Sequence, residues 1–140
     1  MHAPAAVDRR FRSLGKLVAT ICKRAPRVVE SYRRSLRQRI EDAGLSVEES
    51  DAPLLREIAF FADRSDISEE VVRLQRHLAQ VEKLTASRKP VGRALDFLCQ
   101  DMLREINTVG SKANDTEIST AVVRFKADLE SVREQVQNVE

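Results

Sequence analysis

The chain has 140 residues, of which 33% are charged, with 24 Lys and Arg against 22 Asp and Glu and a formal net charge of +2. This length supports one core or a helical array, but aromatics make up only 4%, so Leu, Val, Ile and Ala must do the packing. No apolar run is long enough for a membrane span and no signal peptide is evident, which excludes a membrane protein and points to a cytoplasmic one.

Gly and Pro are scarce, and apolar residues recur at three and four rather than two. The chain therefore reads as all-α, a long N-terminal helix with a proline kink followed by a C-terminal multi-helix bundle, with no credible strand. Met1 to Ala6 reads as a disordered leader. A helical pattern then runs from about Asp8 to Ala43, interrupted by Pro26. Proline lacks the amide donor and clashes with the preceding turn, so a kink or short break is expected near Arg24 and Ala25. Gly44 supplies a C-terminal stop, Leu45 to Ser50 form a connector, and Asp51-Ala52-Pro53 opens a second helix through about Asp63. Asp66 followed by Glu69 has capping-box spacing before a third helix that runs to about Ala86. Ser87, Arg88 and Lys89 make a short basic connector. Pro90 suits the first position of a fourth helix ending near Gly110, and Asp115 or Asn114 caps a fifth that runs to the C-terminus. Val122, Phe125, Leu129, Val132 and Val136 form its apolar stripe.

Charge divides the chain more sharply than composition does. Residues 1–44 carry 11 basic against 4 acidic side chains, a net +7, and the remainder is net −5. The expected organisation is thus a basic helical arm over 1–50, serving oligomerisation or contact with an anionic polymer, and a C-terminal helical domain over 51–140. A basic arm suits capture of an anionic polymer and equally suits acidic faces of a neighbouring chain. Cys22 and Cys99 stand alone in helical patterns without metal spacing, which favours buried thiols over a disulfide or a zinc site.

Several polar groupings carry chemistry, each with an ordinary reading beside it. On a helix, Asp96, Gln100, Arg104, Asn107 and Ser111 share one polar face next to the apolar stripe of Leu95, Leu98, Met102 and Ile106. Glu70, Arg73 and His77 fall at steps of three and four. Such a trio suits removal of a ribose 2′-hydroxyl proton, support of the phosphorane and protonation of the leaving oxygen, imidazole being the side chain that exchanges protons near neutral pH. The alternative is an exposed ion pair beside a surface histidine. Asp101 and Glu105, four apart, offer oxygen ligands of the kind magnesium or manganese prefers, although Asp96 points elsewhere and another helix would have to complete the set, with Glu69 or Glu70 as the candidate. Arg104, Asn107, Thr108, Ser111 and Lys112 gather donors for an RNA backbone, or bond their own helix. Arg33, Arg34 and Arg37, with nearby Arg27, present a guanidinium-rich face, and Tyr32 is a lone candidate for stacking on a base.

The wording of three segments resembles a known family. LDFLCQDMLREINTVGSKAND from Leu95 to Asp115, ADRSDISEEVVRLQRHL from Ala62 to Leu78 and the terminal VREQVQNVE look like the C-terminal half of the YicC/YloC endoribonucleases, while KRAPRVVESYRRSLRQRI from Lys23 to Ile40 resembles their central helical segment. The resemblance implies cleavage of single-stranded RNA with a divalent metal cofactor. It also implies a ring-like homo-oligomer, with a hexamer as its candidate size, and a further N-terminal domain to which nothing in these residues corresponds. On that reading Glu70, His77 and Glu105 are the catalytic residues. Arg33, Arg34, Arg37, Arg73, Arg104, Asn107 and Lys112 hold RNA, and Asp101 and Glu105 are the metal ligands. The competing reading is a non-catalytic helical RNA clamp or oligomerisation scaffold.

Overall fold

The computed structural model describes residues 5–87 and 90–138. Among them are five α-helices and no strand: α1 Ala5–Asp42, α2 Ala52–Ser65, α3 Ser68–Thr85, α4 Gly92–Lys112 and α5 Thr116–Gln137. Four of them close a ring. Helix α1 packs on α5, α5 on α4, α4 on α3, and α3 back on α1, while α2 packs chiefly on α1. The shared core is aliphatic, as the composition requires. Phe125, Leu14, Ile21, Leu74, Leu95, Met102, Ile106, Ile118 and Leu129 are its largest fully enclosed apolar side chains. All five residues of the expected α5 stripe are buried, and on α4 the enclosed position is Cys99 rather than Leu98, which is only partly covered.

Local chemistry sets most of the ends. Asp51 accepts a hydrogen bond from the Leu54 amide and Asp115 from the Ile118 amide, each satisfying a free donor of the first turn. At the end of α1, Gly44 takes φ +83, with its amide donating to Glu41 and the Leu45 amide donating to Ile40. That is the Schellman arrangement, which uses a glycine in the left-handed region.

Elsewhere the structure corrects the sequence reading. Helix α1 runs unbroken through Pro26 and already includes Ala5 and Ala6; Met1 to Pro4, Arg88 and Lys89 lie outside the described residues. Core residues flank the proline, Ile21 before it and Val28 after it, so burial on both sides holds the helix across one missing hydrogen bond. Asp66 forms no capping box. It accepts from the Ser68 amide and hydroxyl in a local turn, and α3 starts after Ile67 without a side-chain cap. Helix α4 begins at Gly92 rather than Pro90 and passes through Gly110 to Lys112. Gly110 is a close-approach residue, because a Cβ there would meet Val122 Cγ1 of α5 at 3.2 Å. Cys22 is exposed rather than buried. Cys99 is enclosed, and burial, helped by Asp96, pushes its thiol up to about 12.

The first half of α1 belongs to the common core, with Val7, Phe11, Leu14, Val18, Ile21 and Val28 all buried in it. No side chain of α1 beyond Val28 is buried. The distal half instead pairs with α2, where the Tyr32 and Phe61 rings stack at 3.8 Å and the Tyr32 hydroxyl donates to Glu57 at 2.8 Å. Tyr32 is thus engaged inside the protein, not held out for a base. Where α1 leaves the bundle, Arg24 donates to both Asp115 oxygens, at 2.9 Å and 3.2 Å. Burial would push the Asp115 carboxyl up, but Arg24 and the capped amides outweigh it and hold the group below the usual carboxylate range.

Asp115→Ala removes both the helix cap and this partner, and we expect it to lower stability by about 1–2 kcal/mol in denaturant unfolding near pH 7. A depressed folded-state pKa contributes stability above the unfolded value of about 3.9 and loses it as pH falls through the lower folded value. The difference between variant and parent should therefore narrow below about pH 4; a constant difference would assign the whole effect to the cap.

Candidate functional site across α3 and α4

Glu70 lies in the first turn of α3 and Lys112 in the last turn of α4. Since α3 packs along α4, residues far apart in sequence meet. Lys112 Nζ donates to the two Glu70 carboxylate oxygens at 3.1 Å and 3.4 Å, and Arg73 Nε donates to Glu105 at 2.9 Å. Arg73 also approaches Glu70 at 3.6 Å and Glu69 at 3.7 Å. The result is one network of alternating charge. Its carboxylates differ in access, with Glu70 only 2% exposed and Glu69 85% exposed.

A carboxylate this deeply buried requires a cation and good hydrogen bonds, because desolvation otherwise disfavours the charge strongly. Lys112 supplies that cation while keeping 42% of its own side chain in solvent. Arg73, 41% exposed, is pushed further up by the hydrogen bond it donates to Glu105, against a smaller opposing effect of desolvation, and stays a fixed cation. Asp66 adds a second acid near Lys112. Ser68's hydroxyl and amide, with a contribution from Lys112, hold its carboxyl below the usual range.

Of the residues singled out from sequence, Glu70, Arg73, Glu105 and Lys112 come together. His77 is one turn beyond Arg73 on α3, half-buried, with its Nδ1 enclosed and without a hydrogen-bond partner. Arg104 is 79% exposed and bonds Asp101 at 2.8 Å. Asn107 is exposed, whereas Thr108 and Ser111 turn back to the Arg104 and Thr108 carbonyls, the local alternative to ligand contact. Arg33 and Arg34 approach Glu30, and Arg37 bonds Glu49 at 2.7 Å, all on the distal half of α1 and apart from this network. Lys112 is part of helix α4, not of a loop after Gly110. Spacing alone missed the contribution of Asp66, for which the Asp66-x-Ser68 turn is the local signal; Glu69, a candidate from sequence for completing the acidic set, approaches Arg73 instead.

The donor set does not fit a resident divalent cation. Asp101 is paired with Arg104 and Glu105 with Arg73, and among the described residues no three His, Cys, Asp or Glu side chains gather in a way that could hold an ion. No described helix is long and apolar enough to cross a membrane.

If the Glu70 charge depends on Lys112, Lys112→Met should destabilise the protein by about 1–3 kcal/mol by leaving the carboxylate buried without its nearest cation, the lower part of that range reflecting the half-exposed lysine. Adding Glu70→Gln should recover a substantial part of the loss. Additive effects in this double-mutant cycle would show that the pair is not coupled.

The family model for the C-terminal part of YicC-like endoribonucleases matches residues 21–140. A Clostridioides difficile protein named probable endoribonuclease YicC is 41% identical over 126 residues, which is 88% of this chain and 42% of that relative. A Haemophilus influenzae protein of the same name is 34% identical over 134 residues, or 96% of this chain and 46% of the relative. The chain thus spans less than half the length of the relatives it matches.

Proposed function

This chain belongs to the YicC-like endoribonuclease family, and on that premise we propose that it contributes the cleavage site of a cytoplasmic enzyme acting on single-stranded RNA. The observation that carries this reading is the meeting of Glu70, Arg73, Glu105 and Lys112 around one buried carboxylate. Two half-exposed cations over a buried acid suit a phosphodiester. Lys112 and Arg73 would draw in the phosphate and support charge that builds on its oxygens, with Glu105 fixing the Arg73 guanidinium. Glu70 and His77 would exchange the protons, one group taking the 2′-hydroxyl proton as that oxygen attacks phosphorus, the other returning a proton to the departing 5′-oxygen. The divalent cation that the family resemblance implies has no fitting donor set within this chain, so no step is assigned to it.

Under this assignment His77→Ala, Glu70→Gln and Glu105→Gln should each slow single-turnover cleavage by about a hundredfold or more while RNA affinity persists. Folded variants with near-parent rates would remove the network from the active site. RNA binding without cleavage by the parent, with or without added magnesium, would favour the clamp reading.

We further propose that the chain assembles with copies of itself through α2. Leu55 and Phe60 lie 43% and 59% exposed on that helix, and no side chain of α1 after Val28 is itself buried. Light scattering at micromolar concentration should show an oligomer whose mass falls when Leu55 and Phe60 are changed to Ser. A monodisperse monomer would overturn the assembly.

A further inference from the structure

The cations of α1 divide by how closely a carboxylate engages them. Arg10, Arg24, Arg33 and Arg37 each lie within reach of a carboxylate: Asp128 at 3.6 Å, Asp115 at 2.9 Å, Glu30 at 3.6 Å and Glu49 at 2.7 Å. Arg9, Arg12, Lys16, Lys23, Arg27 and Arg34 form a different set. Their steps of three, four, seven, four and seven residues keep all six on one stripe of the helix. Every one is exposed, and among the described residues only Arg34 approaches an acid, Glu30 at 3.9 Å, while remaining 79% exposed. Arg39 is set apart on the far side of the helix from this row. At 1.5 Å per residue the row from Arg9 to Arg34 is about 38 Å long.

Such a row is unfavourable by itself. Arg9 with Arg12, Arg12 with Lys16 and Lys23 with Arg27 are like charges at helical neighbour spacing, which repel. A solvated helix usually intersperses acids; within this row the one acid is Glu30, between Arg27 and Arg34, and it is shared with Arg33. An anionic polymer laid along the row would relieve the repulsion and release its own counterions. None of the large apolar side chains left exposed lies on α1, so the face has nothing to insert into a bilayer. No aromatic lies on the stripe to stack on a base either, so the surface suits a phosphate backbone read by charge alone.

We propose that this row is a track for the backbone of single-stranded RNA, separate from the α3–α4 network and independent of base sequence. The track rests on the reading of RNA as substrate. Arg12 and Lys16 border the open groove between α1 and α3, so a strand on the row runs beside the helix that carries Glu70 and Arg73. In a second groove, Cys22, Ala25 and Pro26 of α1 face the Asp66–Ser68 turn that leads into Glu70. A strand leaving the row there has a short path to the network.

The test compares two triple variants of the full chain with the same change in net charge, Lys16→Gln/Lys23→Gln/Arg27→Gln on the row and Arg33→Gln/Arg37→Gln/Arg39→Gln off it. The probe is a labelled, uncleavable 2′-O-methyl oligouridylate, followed by fluorescence anisotropy between about 50 and 200 mM salt. The row variant should lose about 2 from the slope of log affinity against log salt, roughly 0.7 for each lost phosphate contact, and the other variant less than half of that. An oligoadenylate should give the same slopes. Because the row residues are exposed and mutually repelling, the row variant should melt no lower than the parent at low salt. Equal slope losses would attribute binding to net charge and overturn the track, as would tighter binding of the parent to phosphatidylserine vesicles than to RNA. Parent binding that survives the row variant unchanged would overturn the track and leave the cleavage site standing. Failure of the parent to bind either oligonucleotide would overturn both.

Discussion

The seam between α1 and α5 is the contact on which the rest of the fold depends. It joins the two ends of the sequence, and without it α3, α4 and α5 would present an open apolar face. Helices of this length gain most of their stability from burying a stripe against partners, so the ring of four is stable only when its first and last members meet. Polar contacts fix the register of that meeting at two levels. Ser13 donates to Asp128 at 2.9 Å with Arg10 nearby, and Arg24 clasps Asp115 where α5 begins. The second contact does two jobs, since Asp115 is also the α5 cap.

Against this aliphatic background Glu70 breaks the rule that governs the other core positions. Ser65, the other buried polar residue among those described, is satisfied by the Phe61 carbonyl one turn earlier in its own helix. Glu70 depends on side chains that reach it, Lys112 from another helix. Part of the arrangement is structural. An acid in the first turn of α3 and a base in the last turn of α4 each complement the dipole of their own helix, and the pair ties the two ends together. Yet a buried ion pair is a poor way to gain stability, because well-packed apolar residues of similar size do as well or better. Departures of this kind from otherwise consistent design concentrate at functional sites, and the Arg73–Glu105 bridge beside it adds charge that packing does not need.

What the sequence disclosed followed how local each interaction is. The 3.6-residue periodicity revealed all five helices, and the caps at Asp51 and Asp115 and the glycine stop at Gly44 could be read because their chemistry spans three or four residues. Pro26 and Gly110 misled because their effects depend on tertiary packing. A proline ends a helix unless burial on both sides holds it, and a glycine marks an end unless a neighbouring helix needs the space its missing Cβ leaves. Within the site, the step from Glu70 to Arg73 was visible on one helix. Their pairing with Lys112 and Glu105 was not, since nothing in residue spacing states which helix lies alongside. The resemblance to a family grouped Glu70, His77 and Glu105 as one set, and packing adds which side chains touch, Arg73 on Glu105 and Lys112 on Glu70.

The heptad-like spacing of α1 explains why its distal half stays continuous with the bundle. Val7, Phe11, Leu14, Val18, Ile21, Ala25 and Val28 alternate steps of four and three and face the common core, the first six buried or partly so before the seventh closes the series. One more step of four reaches Tyr32, which packs on Phe61 of α2. A single stripe therefore serves two partners in succession, the bundle up to Val28 and α2 from Tyr32 onward. Phe61 belongs to the core cluster, so the handover leaves no gap between them. This continuity also settles the course of the opposite face. A helix held along one stripe from Val7 to Tyr32 must present its other side in a fixed line, and that line is where the exposed row of cations stands.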